Sequence, residues 1–297
     1  MNLRDLSYLL AVADHRHFSR AAAAAHVSQP TLSGQIAKLE AELGVALFER
    51  DSRNVALTPA GAAIAVEARA ALAHAEAIRE IARAHRDPLA GPFRLGVIAS
   101  LGPFLAPDLL PAIEHDAPRM TIELTEDLTD ALLDALRGHR IDAALVATAP
   151  DGDDLATIVL FDEPFLVAHA PGHPLAARKR LTTDAIGGET LLLLAEGHCL
   201  RDQALALCGT AAVDPRLKAA SLLTLMGLVA AGHGATLVPK LAASWAEGLS
   251  LREIAGADAH RRIRLVARRH YPRMAALDVV AGAARAVARA RGLQPIG

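Results

Sequence analysis

The residues best suited to chemistry gather in one short run, Gly197-His198-Cys199-Leu200-Arg201-Asp202-Gln203, and a second thiol, Cys208, follows nine residues after the first. These are the only two cysteines in the chain. Leu200, Ala204, Leu207 and Cys208 fall on one helical face, so the reduced segment is expected to be a helix with Cys208 turned inward. Cys199 would start that helix, where the dipole, His198 and Arg201 favour a thiolate and Asp202 opposes it. A thiolate attacks peroxide to give a sulfenic acid, which a second thiol can convert to a disulfide. Nine residues of intact helix separate the two Cα atoms by about 13.5 Å at ~1.5 Å per residue. A disulfide needs them within roughly 7 Å. Helix and bridge therefore exclude one another, and an element with two shapes is what a switch requires. The blander alternative, two small buried thiols in a reducing compartment, stands equally at this point. Two thiols and one histidine on a single segment lack the paired spacing of a metal site, so neither metal nor cofactor is expected.

A chain of 297 residues must position these groups, which suggests roughly two domains of ~150 residues. Apolar residues are 52% of it and charged residues 22%, enough for a packed interior and against wholesale disorder. A formal charge of -2 and a pI near 6.7 exclude bulk attraction to polyanions, so any nucleic-acid surface has to be local. The longest apolar stretches, such as Leu191 to Ala195 and Leu225 to Ala231, fall far short of the ~20 residues of a membrane span. Met1 to Leu10 carries Arg4 and Asp5 and lacks a signal-peptide core, so a cytosolic protein without a membrane partner is expected.

The first ninety residues read as helices. Leu3, Leu6, Leu9, Leu10 and Ala13 repeat at helical spacing; Ser19 can cap a second helix running to Ala25; Ser28, followed by Gln29 and Pro30, caps a third that stops at Gly44. Leu32, Ile36 and Leu39 share its inner face, leaving Gln29, Pro30, Thr31, Ser33, Gln35 and Lys38 as the surface that could enter a major groove. Arg50 and Arg53, in a polar loop with Ser52, are placed like a wing on the DNA backbone. Residues 1–58 hold six Lys/Arg against six Asp/Glu, so charge does not separate a DNA-binding domain from an ordinary helical one. Thr58-Pro59 opens a long helix ending near Asp87. Its seam of Ile64, Ala68, Ala71, Ala75, Ile78 and Ala82 suits a dimerisation arm, or else packing on the chain's own body. From Gly91 onward, strand candidates alternate with helical stretches, which argues for parallel sheets covered by helices. The strands are Leu95–Ala99, Thr121–Leu124, Ala143–Ala147, Phe165–Ala168, Leu191–Leu194, Thr236–Val238 and Ile263–Ala267. Phe161-Asp162-Glu163-Pro164 reads as a turn-rich crossover between two lobes, with a ligand cleft between them. Arg261 to Gly297 holds nine arginines against the single acid Asp278, most simply a solvated amphipathic helix.

Three runs carry a family resemblance: Phe18-Ser19-Arg20-Ala21-Ala22, Val27-Ser28-Gln29-Pro30-Thr31-Leu32-Ser33, and Leu39-Glu40-Ala41-Glu42-Leu43-Gly44-Val45-Ala46-Leu47-Phe48-Glu49-Arg50. With Thr58-Pro59-Ala60-Gly61, they resemble the signature of LysR-type transcriptional regulators. The resemblance implies an α/β protein in three zones. Residues 1–58 would be a winged helix-turn-helix, 59–87 a dimerising linker helix, and 91–297 a two-lobed, periplasmic-binding-protein-like effector domain with its second lobe at about 163–267.

The run from Glu196 to Leu205 with Cys208, together with Met1 to Leu6, His15 to Phe18, Gly102-Pro103, Leu160 to Pro164 and Val229 to Gly232, is similar to the hydrogen-peroxide-sensing branch of that family. That similarity implies a peroxidatic Cys199, a resolving Cys208, and a peroxide pocket of Ser100, Thr129 and His198 with Asp202 and Arg268 nearby. It also implies an activator of oxidative-stress genes that binds operator DNA, contacts RNA polymerase, forms dimers and a homotetramer, and is reset by a thiol reductant. On spacing alone Ser100 and Thr129 could be helix caps, and Arg268 an ordinary ion-pair partner. Ser100 stands where that branch usually has threonine, and Leu223 and Met226 where charged residues are common. Two rivals remain: a LysR-type regulator with a small-molecule effector in the interlobe cleft, and a thiol peroxidase.

Overall fold

The computed structural model describes residues 1–49, 55–209, 212–255 and 259–296, without the side chains of 83–85, 212–216 and 218. The chain divides into two units, Met1–Ala82 and Arg83–Gly297. Among the described residues no helix is long and apolar enough to cross a membrane.

In the first unit, α1 (Leu3–His15) is closed by a capping box: Asn2 Oδ1 accepts from the Asp5 amide, and the Asp5 carboxylate accepts from the Asn2 amide. Helix α2 (Phe18–Ala24) is capped two residues earlier than the serine pattern suggests. Its cap is His17, whose Nδ1 accepts from the Ser19 amide at 3.2 Å, so Ser19 lies inside the first turn. Helix α3 (Gln29–Leu43) starts on the Ser28 hydroxyl, which accepts from the Thr31 amide, and ends at left-handed Gly44 (φ 70°). Leu32, Ile36 and Leu39 are buried against Leu6, Leu9, Val12 and Ala21 of the first two helices. Phe48 and Leu57 then pair in a short antiparallel bridge. The wing residues Arg50 and Arg53 lie outside the described residues.

Helix α4 (Pro59–Arg86) starts against that bridge so tightly that a Cβ on Gly61 would lie 2.0 Å from the Leu47 carbonyl oxygen, which only glycine permits. Its seam divides. Ile64, Ala65, Ala68, Ala71 and Leu72 pack on the first unit's own core, whereas Ile78 and Ile81 are 69% and 51% exposed.

The second unit contains β1 (Gly91–Ile98), α5 (Gly102–Asp116), β2 (Met120–Asp127), α6 (Thr129–Arg137), β3 (Ala143–Val146), β4 (Leu155–His169), α7 (Thr183–Gly187) and β5 (Thr190–Leu194). It continues through α8 (Cys199–Cys208), β6 (Ala212–Ala219), α9 (Leu222–Ala230), β7 (Ala235–Pro239), β8 (Ser250–Glu253), β9 (His260–Arg268) and α10 (Met274–Ala290). The strand order is β2-β1-β3-β9-β4-β7-β5-β6, with β8 also on β4. The β1–β2, β1–β3, β5–β6 and β5–β7 pairs are parallel, as the alternating pattern predicts. The sheet is nevertheless mixed, because β4 and β9 join the two parallel halves by antiparallel pairing.

Phe161 to Pro164 is accordingly part of β4 and not a turn. The acids there alternate across the strand. Asp162 faces outward to Arg262, while Glu163 points inward to Arg261, so β9 neutralises what composition alone marks as loop. The arginines near the C-terminus are only in part a solvated face: Arg289 and Arg291 are exposed, whereas others are turned to the backbone. Arg273, 1% exposed, donates to the carbonyls of Pro88, Ala90 and Pro92, and Arg285 donates to those of Ile296 and Val159. They stitch chain segments together through backbone carbonyls that would otherwise be unsatisfied.

Candidate functional site

Cys199 is the first residue of α8 and half-buried; Cys208 is the last and buried. Both thiols are free. The helical rise puts their Cα atoms about 13.5 Å apart, so the observed helix cannot contain their disulfide. Burial pushes the Cys208 thiol above its ordinary value. Leu200 and Ala204 seal the same face. At the helix end the Cys208 carbonyl lies against α7, where a Cβ on Gly187 would come within 2.9 Å of it. His198 occupies the cap position yet makes no side-chain cap bond, and burial holds its imidazole below the ordinary histidine range. A neutral ring can both donate and accept hydrogen bonds.

Beside the Cys199 end lies a small crevice in which about one water-sized guest fits. Three segments meet there. The turn after β1 supplies Ser100, the start of α6 supplies Leu128 and Thr129, and the loop before α8 supplies Gly197, His198 and Cys199. Ser100 is 3% exposed, and its Oγ accepts from Arg261 Nη1 at 2.8 Å, which leaves the hydroxyl proton for a partner in the crevice. Thr129 Oγ1 is buried with no hydrogen-bond partner among the described residues. Two hydroxyls and an imidazole therefore line one crevice with the thiol. This set can orient a small peroxide and protonate its departing oxygen.

Of the predicted pocket residues, the structure brings Ser100, Thr129, His198 and Cys199 together and leaves two outside. Asp202 is exposed on the first turn of α8 and does not line the crevice. Arg268 lies at the opposite end of β9, donating to the carbonyls of Leu136 and Ile141 at 2.7 Å each with its guanidinium over the Tyr271 ring. It is held by carbonyls at the end of α6 and just before β3, away from the crevice, so the predicted approach to the pocket is corrected. The arginine that does reach the site is Arg261. Besides Ser100 Oγ it donates to the Ser100 carbonyl and, through Nε, to Glu163 Oε2 at 2.8 Å. Glu163 Oε1 accepts from the Leu241 amide. Both side chains are 0% exposed. A buried pair with this many hydrogen bonds is costly to break from one side. The available signal was the strand alternation, since Arg261 shares a buried face with Ile263 and Leu265.

Two further residues tether α8. Arg201 Nη1 donates to the Leu194 carbonyl, turning its charge back along β5, and Gln203 Nε2 donates to the Ala147 carbonyl at the end of β3. On α9, Met226 is buried while Leu223 is 42% exposed.

In the first unit, Gln29, Pro30, Thr31 and Lys38 are exposed on α3, and Ser33 and Gln35 are half-buried beside them. The Thr31 hydroxyl pairs with that of Ser28 at 2.7 Å. This face presents amide, hydroxyl and ammonium groups at the N-terminal half of a helix, the groups that read base edges and phosphates in a major groove.

Residues 3–62 match a family model described as a bacterial regulatory helix-turn-helix protein of the lysR family, and residues 86–289 match the LysR substrate binding domain. The chain is 45% identical over 244 residues to the hydrogen peroxide-inducible genes activator of Dickeya chrysanthemi, covering 82% of this chain and 80% of that protein. It is similar to full-length OxyR of Pseudomonas aeruginosa carrying a cysteine-to-aspartate substitution, with 38% identity, 97% of both chains covered and a TM-score of 0.74. It is also similar to peroxide-bound Corynebacterium glutamicum OxyR carrying a cysteine-to-serine substitution, with 34% identity, 98% and 93% coverage and a TM-score of 0.66.

Proposed function

We infer, from a chain that belongs to the LysR family of transcriptional regulators and to its OxyR branch, that this protein binds DNA through α2 and α3 and senses hydrogen peroxide through Cys199 and Cys208. The observation that carries the reading is the meeting of Ser100, Thr129, His198 and Cys199 in one crevice, with Cys208 at the other end of the helix that Cys199 begins.

In the first step the Cys199 thiolate attacks one peroxide oxygen. The S–O bond forms, the O–O bond breaks, and the departing hydroxide takes up the proton that Cys199 gave up, passed on through the Ser100 or Thr129 hydroxyl, to leave as water. Arg261 is the positioning residue, because it fixes which way the Ser100 proton points. In the second step Cys208 sulfur attacks the sulfenic sulfur, releasing a second water and forming the disulfide. Burial keeps the Cys208 thiol protonated, so this step waits for α8 to open. A thiol reductant returns the bridge to two thiols. Each cycle consumes one peroxide as a signal.

The assembly that fits this reading is an activator in the cytosol. Residues 1–58 hold operator DNA, with Arg50 and Arg53 on the backbone, and residues 59–87 pair two chains. Residues 91–297, with the second lobe at about 163–267, pass the refolding of 197–210 to subunit packing in a homotetramer and so to RNA polymerase. Exposed Ile78 and Ile81 support the pairing role of the linker.

Sub-stoichiometric peroxide followed by thiol mapping tests the chemistry. The expected product is an intramolecular Cys199–Cys208 bridge, and its absence from the wild-type chain overturns the mechanism. Footprints of the reduced and oxidised protein on its own upstream DNA should differ in protected length. A response that survives Cys199→Ser would favour a small-molecule effector instead.

A further inference from the structure

We propose that Leu128 sets which hydroperoxides reach Cys199, by closing the crevice against a substituent on the peroxide's far oxygen. The inference rests on Cys199 as the peroxide-reacting thiol and adds the class of substrate that the site rejects.

Leu128 directly precedes α6 with an extended backbone (φ -74°, ψ 157°). Its amide donates to Asp127 Oδ1 at 2.8 Å, and its carbonyl accepts from the Leu132 amide at 3.0 Å. Held on both sides, the backbone fixes the direction in which the side chain leaves it. That side chain reaches across to the loop before α8, where a Cβ on Gly197 would lie 3.0 Å from Leu128 Cδ1. Gly197 has φ +90°, a conformation suited to glycine, so the bare Cα two residues before the reactive thiol is what lets the leucine close in.

The crevice behind this contact is divided in character. The Ser100 and Thr129 hydroxyls and the His198 ring supply its hydrogen-bonding groups, while Ile98, Ala99 and Leu128 supply an apolar wall. Hydrogen peroxide places a hydrogen on each oxygen and can satisfy both at the polar groups. An alkyl hydroperoxide reacts by the same balance: sulfur bonds to the terminal oxygen, the O–O bond breaks, and the alkoxide takes a proton to leave as an alcohol. Only its alkyl group is new. The room for about one water-sized guest beside the polar groups puts that group against the apolar wall, where Leu128 meets Gly197.

The test uses the reduced full-length chain, with quenched-flow mapping of Cys199 oxidation by hydrogen peroxide and by tert-butyl hydroperoxide. The wild type should strongly prefer hydrogen peroxide. Leu128→Ala should raise the ratio of the tert-butyl rate to the hydrogen peroxide rate at least about tenfold, the order a few missing methylenes carry in an apolar pocket. Leu128→Val, which removes a single methylene and preserves packing if the alanine variant fails to fold, should raise it less. An unchanged ratio in a folded variant overturns the proposal, as does a wild type that reacts equally fast with both oxidants. If hydrogen peroxide itself leaves wild-type Cys199 unoxidised, the sensing reading falls first and this one with it.

Discussion

Helices α3 and α8 stand at the two ends of the proposed signalling path and are closed in opposite ways. Helix α3 has a side-chain cap from Ser28, a first-turn proline and a left-handed glycine stop. Glu40 adds an anchor by accepting from the amides of Leu47 and Phe48. Helix α8 starts at His198, which contributes no cap bond, and is ten residues long. A helix that short is marginal in water without tertiary support. Its support is one apolar face, two tethers from Arg201 and Gln203, and a buried thiol that is itself a reactant. The element proposed to read DNA is secured by its local sequence. The element that reads oxidant is secured by its surroundings, so a bond formed at its ends can undo it.

The largest expected effect tests that contrast directly. Hydrogen exchange on reduced and oxidised protein should show the amides of 199–208 losing protection on oxidation while those of 29–43 keep theirs. In Cys208→Ser, a sulfenic acid should persist at Cys199 with α8 still protected. Protection of 199–208 that survives disulfide formation would erase the difference between the two helices.

Next in size is the frame around the sensor. Arg261→Ala strands Glu163 as an uncompensated buried charge, at a cost of about 3–5 kcal/mol. Trp245 is the only tryptophan and lies in the second unit, so its fluorescence during urea unfolding reports that unit alone. The midpoint should fall sharply for Arg261→Ala and the rate of Cys199 oxidation should fall with it. Arg268→Ala should spare the oxidation rate, because that side chain serves carbonyls at the other end of β9.

These two arginines also mark where the sequence was legible and where it was not. Helices α3 and α8 could be read closely because caps, stops and apolar spacing are local, and the crevice residues on three separate segments followed from resemblance. Arg268 was misplaced because position along β9 depends on register with β3 and β4, which no local pattern encodes. The run Phe161 to Pro164 looked like a turn for a related reason, since Asp162 and Glu163 are tolerated in a strand only through arginines about a hundred residues later. Helix α5 is hard to read from the sequence because Pro107 and Pro111 lie inside it. Proline in a helix interior usually signals a break; here Leu105, Leu109 and Ile113 on one face, all buried, hold the helix.

A pair of cap exchanges gives a smaller effect. Ser28→Ala should destabilise the first unit by about 1 kcal/mol, the usual worth of an N-cap. His198→Ser should do the reverse at α8 by installing a cap the wild type lacks. A reduced helix stabilised by about 1 kcal/mol makes the disulfide more oxidising by about 20 mV. Redox titration against glutathione reads this at equilibrium, apart from any change His198 causes in rate. A midpoint that moves the other way would mean that α8 is not the element oxidation opens.

The smallest effect is in pH, and its sign follows from burial. The folded chain holds the Cys208 thiol above its ordinary value of 9.0, so the unfolded chain releases that proton first. The stability this contributes is present below the ordinary value and is lost as pH rises toward the folded one. His198 is shifted down from 6.5, so its contribution is present above that value and lost as pH falls through the folded one. The sensor end of the molecule is therefore weakened from both directions. Urea midpoints followed by Trp245 should decline above pH 9 in the wild type and decline less in Cys208→Ser. If the two alkaline slopes coincide, the buried thiol adds nothing to holding α8, and the helix must rely on its two tethers and its apolar face.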